Sequence, residues 1–190
     1  MRRVSRMKKF QFLLLDAGPI IKLFELNKWD AFIKKCDVTI ASTVAEQEVV
    51  FATKEDGKDY IDLLHYEKQN LIKVIDVDAS VVKDFYDKTS LTGKYDIHEG
   101  EEETLAFLCS SSQSWRVCSA DHVVFRVLGK LSRSDQAISL EELLESVGLG
   151  PPPAWKNLNP TDRDWKYTKG FRKRWTQKGR EDFIQDQPLV

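Results

Sequence analysis

"FQFLLLDAGPI" (residues 10–20) decides the fold. A short continuous apolar run closed by a single acid reads as a strand buried on both faces, which is how strands of parallel sheets look. Gly18-Pro19 then opens a helix with proline in its first turn. Its apolar face is Ile20, Ile21, Leu23, Phe24, Leu26, Trp29, Phe32 and Ile33. A charge at Asp16, on the core boundary, calls for a partner or a cation.

Working outward, strands and helices alternate. "DVTIAS" is a second strand, "TVAEQEVVFA" a short helix and "GKDYIDLLHYEKQN" a longer one. "LIKVIDV" is a third strand, followed by a helix begun near Asp78. After the loop "LTGKYDIHEG" come the helix "EEETLAFLCSSS", the strand "WRVCSA" and a helix begun by Asp121. A last short strand, "QAIS", leads into the amphipathic helix "SLEELLESVGL". This order predicts an α/β protein: a three-layer α/β/α sandwich around a mainly parallel sheet. The domain is placed at residues 8–149. Residues 150–190, opened by "GLGPPPAW", form a Pro/Gly linker and a basic, aromatic extension.

The net charge of −1 hides an uneven distribution. Five of the first nine residues are basic, and residues 151–190 hold nine Lys and Arg against five acids; the body between them is acidic. An acidic body argues against passive nucleic-acid binding through the main face. Three cysteines without a CxxC pair read as reduced thiols in a cytoplasmic protein. No apolar stretch is long enough for a membrane span.

In open α/β sheets ligands bind beyond the carboxyl ends of the strands. Four acids occupy such junctions: Asp16, Glu46, one glutamate of "HEGEEETLAF" (residues 98–107) and Asp121. Each also has a structural use. Asp16 and Asp121 can cap helices, Glu46 has capping-box spacing from Thr43, and the glutamates can complement a helix dipole. Converging carboxylates repel, however, and an oxygen-only set suits Mg²⁺ or Mn²⁺. Such an ion supports hydrolysis of phosphodiesters. On a helical wheel with Leu105, Ala106, Leu108 and Cys109 inward, Glu102 lies nearest the buried face and Glu103 on its flank. Glu99 and Glu101 fall to a solvated turn.

The ordered set "LLLDAGPIIKLFEL", "IASTVAEQEV", "GEEETLAFL" and "VCSADHVVFRVL" resembles the motifs of PIN-domain ribonucleases, over about residues 10–149. The likeness is to a subgroup reading D-A-S-P-L-I and G-E-A-E-A-I-A-L-A. The resemblance implies an endoribonuclease dependent on Mg²⁺ or Mn²⁺, with RNA as substrate. It also implies a homodimer and a toxin role countered by an antitoxin. Carried over by position, the catalytic acids are Asp16, Glu46, Glu103 and Asp121, with Asp16, Glu103 and Asp121 as metal ligands. Glu102 is the runner-up ligand, and Ser119 matches a hydroxyl that steadies the site. Gly18 departs from the pattern, standing where the subgroup has Ser. The competing expectation is a non-catalytic module, PIN-like or receiver-like, that binds RNA, protein or Mg²⁺. In the extension, Lys166, Lys169, Arg172, Arg174 and Trp175 are candidate RNA contacts, mixing phosphate-binding cations with a stacking surface. The same segment reads equally as an arm packed on its own domain.

Overall fold

The structure, a computed structural model, describes residues 10–54, 57–91 and 93–186. The basic residues 1–9, and with them the domain start at residue 8, lie outside the described residues. Strand β1 (Phe10–Leu15) is followed by α1 (Ala17–Glu25), α2 (Trp29–Ile33) and β2 (Cys36–Ala41). A π-helical turn (Val44–Glu48) leads into a hairpin of β3 (Phe51–Lys54) and β4 (Gly57–Tyr60). Next come α3 (Leu63–Lys68), β5 (Lys73–Ile75), α4 (Ala79–Thr89), α5 (Glu99–Ser110), β6 (Arg116–Cys118) and α6 (His122–Lys130). The chain ends with β7 (Ala137–Ile138), α7 (Leu140–Ser146), two 3₁₀ turns and α8 (Lys169–Gln185).

The main sheet has five strands in the order β5-β2-β1-β6-β7, every pair parallel. In β1, Leu13 pairs with Val38 on one side and with Arg116 on the other. Being central, β1 is covered on both faces. Leu13 and Leu15 join the core with Ile20, Phe32 and Leu143, whereas Leu14 joins the opposite core with Phe85, Leu105 and Phe125. That is the three-layer α/β/α sandwich, and the continuous "LLL" is its sequence signature.

Two segments differ from their expected form. The helix expected through Ile33 breaks into α1 and α2, with Asn27 left-handed at φ 52°. Asparagine tolerates that conformation, and the turn lets Trp29 and Phe32 bury beside Phe24. Residues 51–52 and 57–60, expected as the end of one helix and the start of the next, lie instead in an antiparallel hairpin in which Phe51 pairs with Tyr60 and Thr53 with Lys58. Alternation decides it: Ala52 is buried, while its neighbours Phe51 and Thr53 face outward.

The extension packs on the body through residue 186. Trp155 and Tyr167 stack with ring centroids 5.5 Å apart and enter one core, and Phe171 enters the other. Helix α8 lies on α6 at backbone contact. A Cβ on Gly179 would sit 1.9 Å from the Arg126 carbonyl oxygen, and one on Gly129 would sit 2.1 Å from that of Thr176. Arg126 binds both carboxylate oxygens of Asp182, and Arg172 binds both of Glu142 at 2.7 Å. Among the described residues no helix is long and apolar enough to cross a membrane. Cys36 and Cys118 are buried and Cys109 is half-buried, and among the described residues none of them is in a disulfide.

Candidate metal centre

Strand order reverses between β1 and β6, since the chain builds outward from β1 through β2 to β5 and then returns to its other side. A crevice opens at such a reversal beyond the strand ends. Asp16 follows β1 there, and Ser119 and Asp121 follow β6. Both acids do cap helices: Asp16 Oδ1 accepts from Ala17 N at 2.8 Å, and Asp121 Oδ1 from Val123 N at 2.7 Å. Capping occupies Oδ1 of each and leaves Oδ2 for other partners. Ser119 joins them, donating from Oγ to Asp16 Oδ2 at 2.6 Å while accepting from Asp121 N at 2.9 Å. Gly18 also gains a reason, because a Cβ there would meet the Ala120 methyl at 2.7 Å.

The remaining walls come from the π-helical turn and the start of α5. Gly100 fits closely between them, since a Cβ would lie 2.6 Å from Val44 Cγ2 and 2.7 Å from Glu48 Oε1. Its backbone also hydrogen-bonds Glu48. Glu101 is 5% exposed and accepts from His98 N through Oε2 at 3.1 Å. The resulting cavity, about 190 Å³, is lined by Asp16, Gly18, Glu48, His98, Glu101, Asp121 and Lys166, among others. His98, Glu101 and Asp121 each offer one ligand atom within 4.8 Å of the other two.

The structure thus brings Asp16, Ser119 and Asp121 together and replaces the glutamates expected beside them. Glu46 is exposed on the outside of the π-helical turn, because Val44 and Ala45 take the inward positions; Glu48 lines the cavity instead. Glu103 accepts from Thr43 Oγ1 at 2.7 Å and Thr43 N at 3.2 Å, tying α5 to the end of β2. Glu102 accepts from the Tyr86 hydroxyl on α4. Glu101, expected in a solvated turn, is the buried one. Residues four and seven apart share a helix face, and Leu105 and Leu108, both fully buried, are its partners at that spacing. That spacing is present in the sequence; Cys109, which is only half-buried, rotates the apparent inward face toward Glu102. His98 had no such signal, since it stands outside any periodic segment.

Burial raises the proton affinity of Asp16, Glu48 and Glu101. Burial pushes Asp16 up, with the Asp121 charge adding to it and the Ser119 and Ala17 hydrogen bonds opposing. Glu48 is raised by burial and then by Asp16. Glu101 is pushed up to about 8 by burial, then by Asp16 and Asp121, with Glu48 adding and the His98 backbone opposing. Buried carboxyls that repel one another, with an imidazole beside them, are a donor set that a divalent cation satisfies. A consequence follows for the metal-free protein. Between the ordinary glutamate value of 4.5 and about 8, the folded state holds a proton on Glu101 that the unfolded chain has lost, so stability falls as pH rises through that window. The thermal midpoint is expected to be lower at about pH 8.5 than at about pH 5.5, and Mn²⁺ is expected to raise it more at the higher pH. Scanning calorimetry with and without chelator measures both.

The basic residues of the extension divide. Lys166 lines the cavity. Arg174 is exposed and lies over the rings of Trp165 and Trp175, whose own neighbour is the His122 ring at 4.6 Å. Arg172 is engaged with Glu142, and Lys169 donates its backbone N–H to Glu141 at 2.7 Å while remaining exposed. Comparison with protein-family models, with curated proteins and with solved structures found no match to this chain.

Proposed function

We propose that the chain is a PIN-like, divalent-cation-dependent ribonuclease acting on single-stranded RNA. One observation carries the reading: acids from four separate segments meet at the strand-order reversal, and His98, Glu101 and Asp121 offer ligand atoms within 4.8 Å of one another. In this reading Asp16, His98, Glu101 and Asp121 hold the cation. A divalent cation bound there supplies activation of water and stabilisation of charge at a phosphate. Ser119 holds Asp16 in place and keeps its register with Asp121. Glu48, whose raised proton affinity suits proton transfer nearer neutral pH than an ordinary glutamate, stands at the same cavity.

Lys166 at the cavity wall offers an ammonium to a substrate phosphate. Arg174, Trp165 and Trp175 supply a charged and aromatic surface of the kind on which unpaired bases stack. The toxin role, the antitoxin and the homodimer rest on the sequence resemblance alone.

The test is cleavage of an end-labelled single-stranded RNA with Mn²⁺, Mg²⁺ or chelator, using protein free of host nuclease. Asp16→Asn keeps one acceptor for Ala17 N and removes the charge, so it is expected to fold and to lose cleavage by at least about 10²-fold. Cleavage that persists in this variant, or in chelator, overturns the proposal. RNA binding without cleavage in every cation would favour a binding module on the same scaffold.

A further inference from the structure

We infer that His98 makes this a mixed nitrogen–oxygen centre that takes Mn²⁺, or another first-row transition cation, in preference to Mg²⁺. The inference rests on the reading of the cavity as a divalent-cation site and adds which cation it selects. His98 is the N-cap residue of α5, and its backbone N–H is tied to Glu101 Oε2 at 3.1 Å. The two residues are therefore held in a set relation, and the ring of one and the carboxylate of the other lie within 4.8 Å of Asp121. The oxygen-only set expected from the sequence suits both Mg²⁺ and Mn²⁺. An imidazole changes the chemistry. Mg²⁺ demands oxygen ligands in a near-ideal octahedron and gives up water reluctantly. First-row transition cations accept imidazole nitrogen readily.

A second imidazole stands nearby and has to be distinguished. His122 Nδ1 is 3.3 Å from Asp121 Oδ1, and its ring packs on Trp175. It does not line the cavity, whereas His98 does. His98 is also exposed, so His98→Gln removes the nitrogen donor without opening a core, and the Glu101 contact, made by the backbone, survives.

The experiment is calorimetric titration of the full chain with Mn²⁺ and with Mg²⁺, paired with pulsed electron paramagnetic resonance of bound Mn²⁺. Wild-type protein is expected to bind Mn²⁺ at least about tenfold more tightly than Mg²⁺ and to show ¹⁴N hyperfine coupling from a coordinated imidazole. In His98→Gln the Mn²⁺ affinity falls about tenfold, Mg²⁺ affinity changes little, and the ¹⁴N coupling disappears. His122→Gln retains the coupling. An unchanged Mn²⁺ to Mg²⁺ ratio in His98→Gln, or coupling that survives in it, overturns the inference and leaves the cation site standing. Binding of neither cation by wild-type protein in the millimolar range overturns the cation site and this inference with it.

Discussion

Glu101→Gln is expected to lower the proposed cation-dependent RNA cleavage by at least about 10²-fold, and Glu103→Gln to leave it within a few-fold of wild type. The two side chains sit two residues apart on one helix and have opposite surroundings. Glu101 is buried in the cavity with Asp16, Glu48 and Asp121, whereas Glu103 is spent on the Thr43 hydroxyl and backbone N–H. Removing the Glu101 charge relieves repulsion as well, so Glu101→Gln is expected to melt higher than wild type in metal-free buffer at about pH 8.5. Glu103→Gln keeps one acceptor for Thr43 and costs about 1 kcal/mol. Cleavage rates at saturating Mn²⁺ together with melting curves separate the two roles. The reverse outcome, with Glu103 essential and Glu101 dispensable, would reject the cavity as the reaction centre.

Gly179→Val destabilises the protein by about 3 kcal/mol or more, since overpacking at a rigid backbone contact has no inexpensive relief. A Cβ alone would stand 1.9 Å from the Arg126 carbonyl oxygen and 2.8 Å from Lys130 N, both backbone atoms of α6. Relief requires α8 to move away, which strains the Arg126–Asp182 and Lys130–Asp186 pairs that fasten it. For a chain of this length the loss corresponds to a fall of roughly 6–12 °C in melting temperature. Gly170→Ala on the same helix is the control. Its Cβ would make only ordinary contacts, at 3.5 Å to Trp165 Nε1 and 3.6 Å to Thr168 Oγ1, so its stability stays near wild type. Equal melting temperatures for Gly179→Val and wild type would show that α8 does not rest on α6 in solution.

Much of the fold was legible because its central strands are extreme in composition. "FQFLLL" between two covering layers and the caps Asp16, Asp78 and Asp121 each mark an element by local chemistry. The β3–β4 hairpin was hidden because its charged residues suit an exposed helix equally well, and only the burial of Ala52 between exposed neighbours settles the matter. The break at Asn27 was hidden because a helix from Ile20 to Ile33 has an adequate apolar face of its own.

The site divides along the same line. Asp16 and Asp121 were readable from sequence because one directly follows β1 and the other comes three residues after β6, and the carboxyl end of a parallel strand has one place to be; Ser119 entered through the motif resemblance. Glu48 and His98 were not readable, and Glu101 only through its spacing from Leu105 and Leu108, because each lies on a helix start or an irregular turn whose rotation is set by what it packs against. Gly100 wedged against Val44 and Glu48 sets that rotation, and it is a contact between residues more than fifty positions apart. The sequence by itself determined the sheet, its order of elements and the two aspartates that end its central strands, since these follow from hydrophobic runs and caps. Only the tertiary structure decided which glutamates face the aspartates, that a histidine stands with them, and that Lys166 closes the wall from the far end of the chain. Those choices belong to packing between elements, where a rotation of one residue, about 100° on a helix, exchanges a ligand for a surface charge.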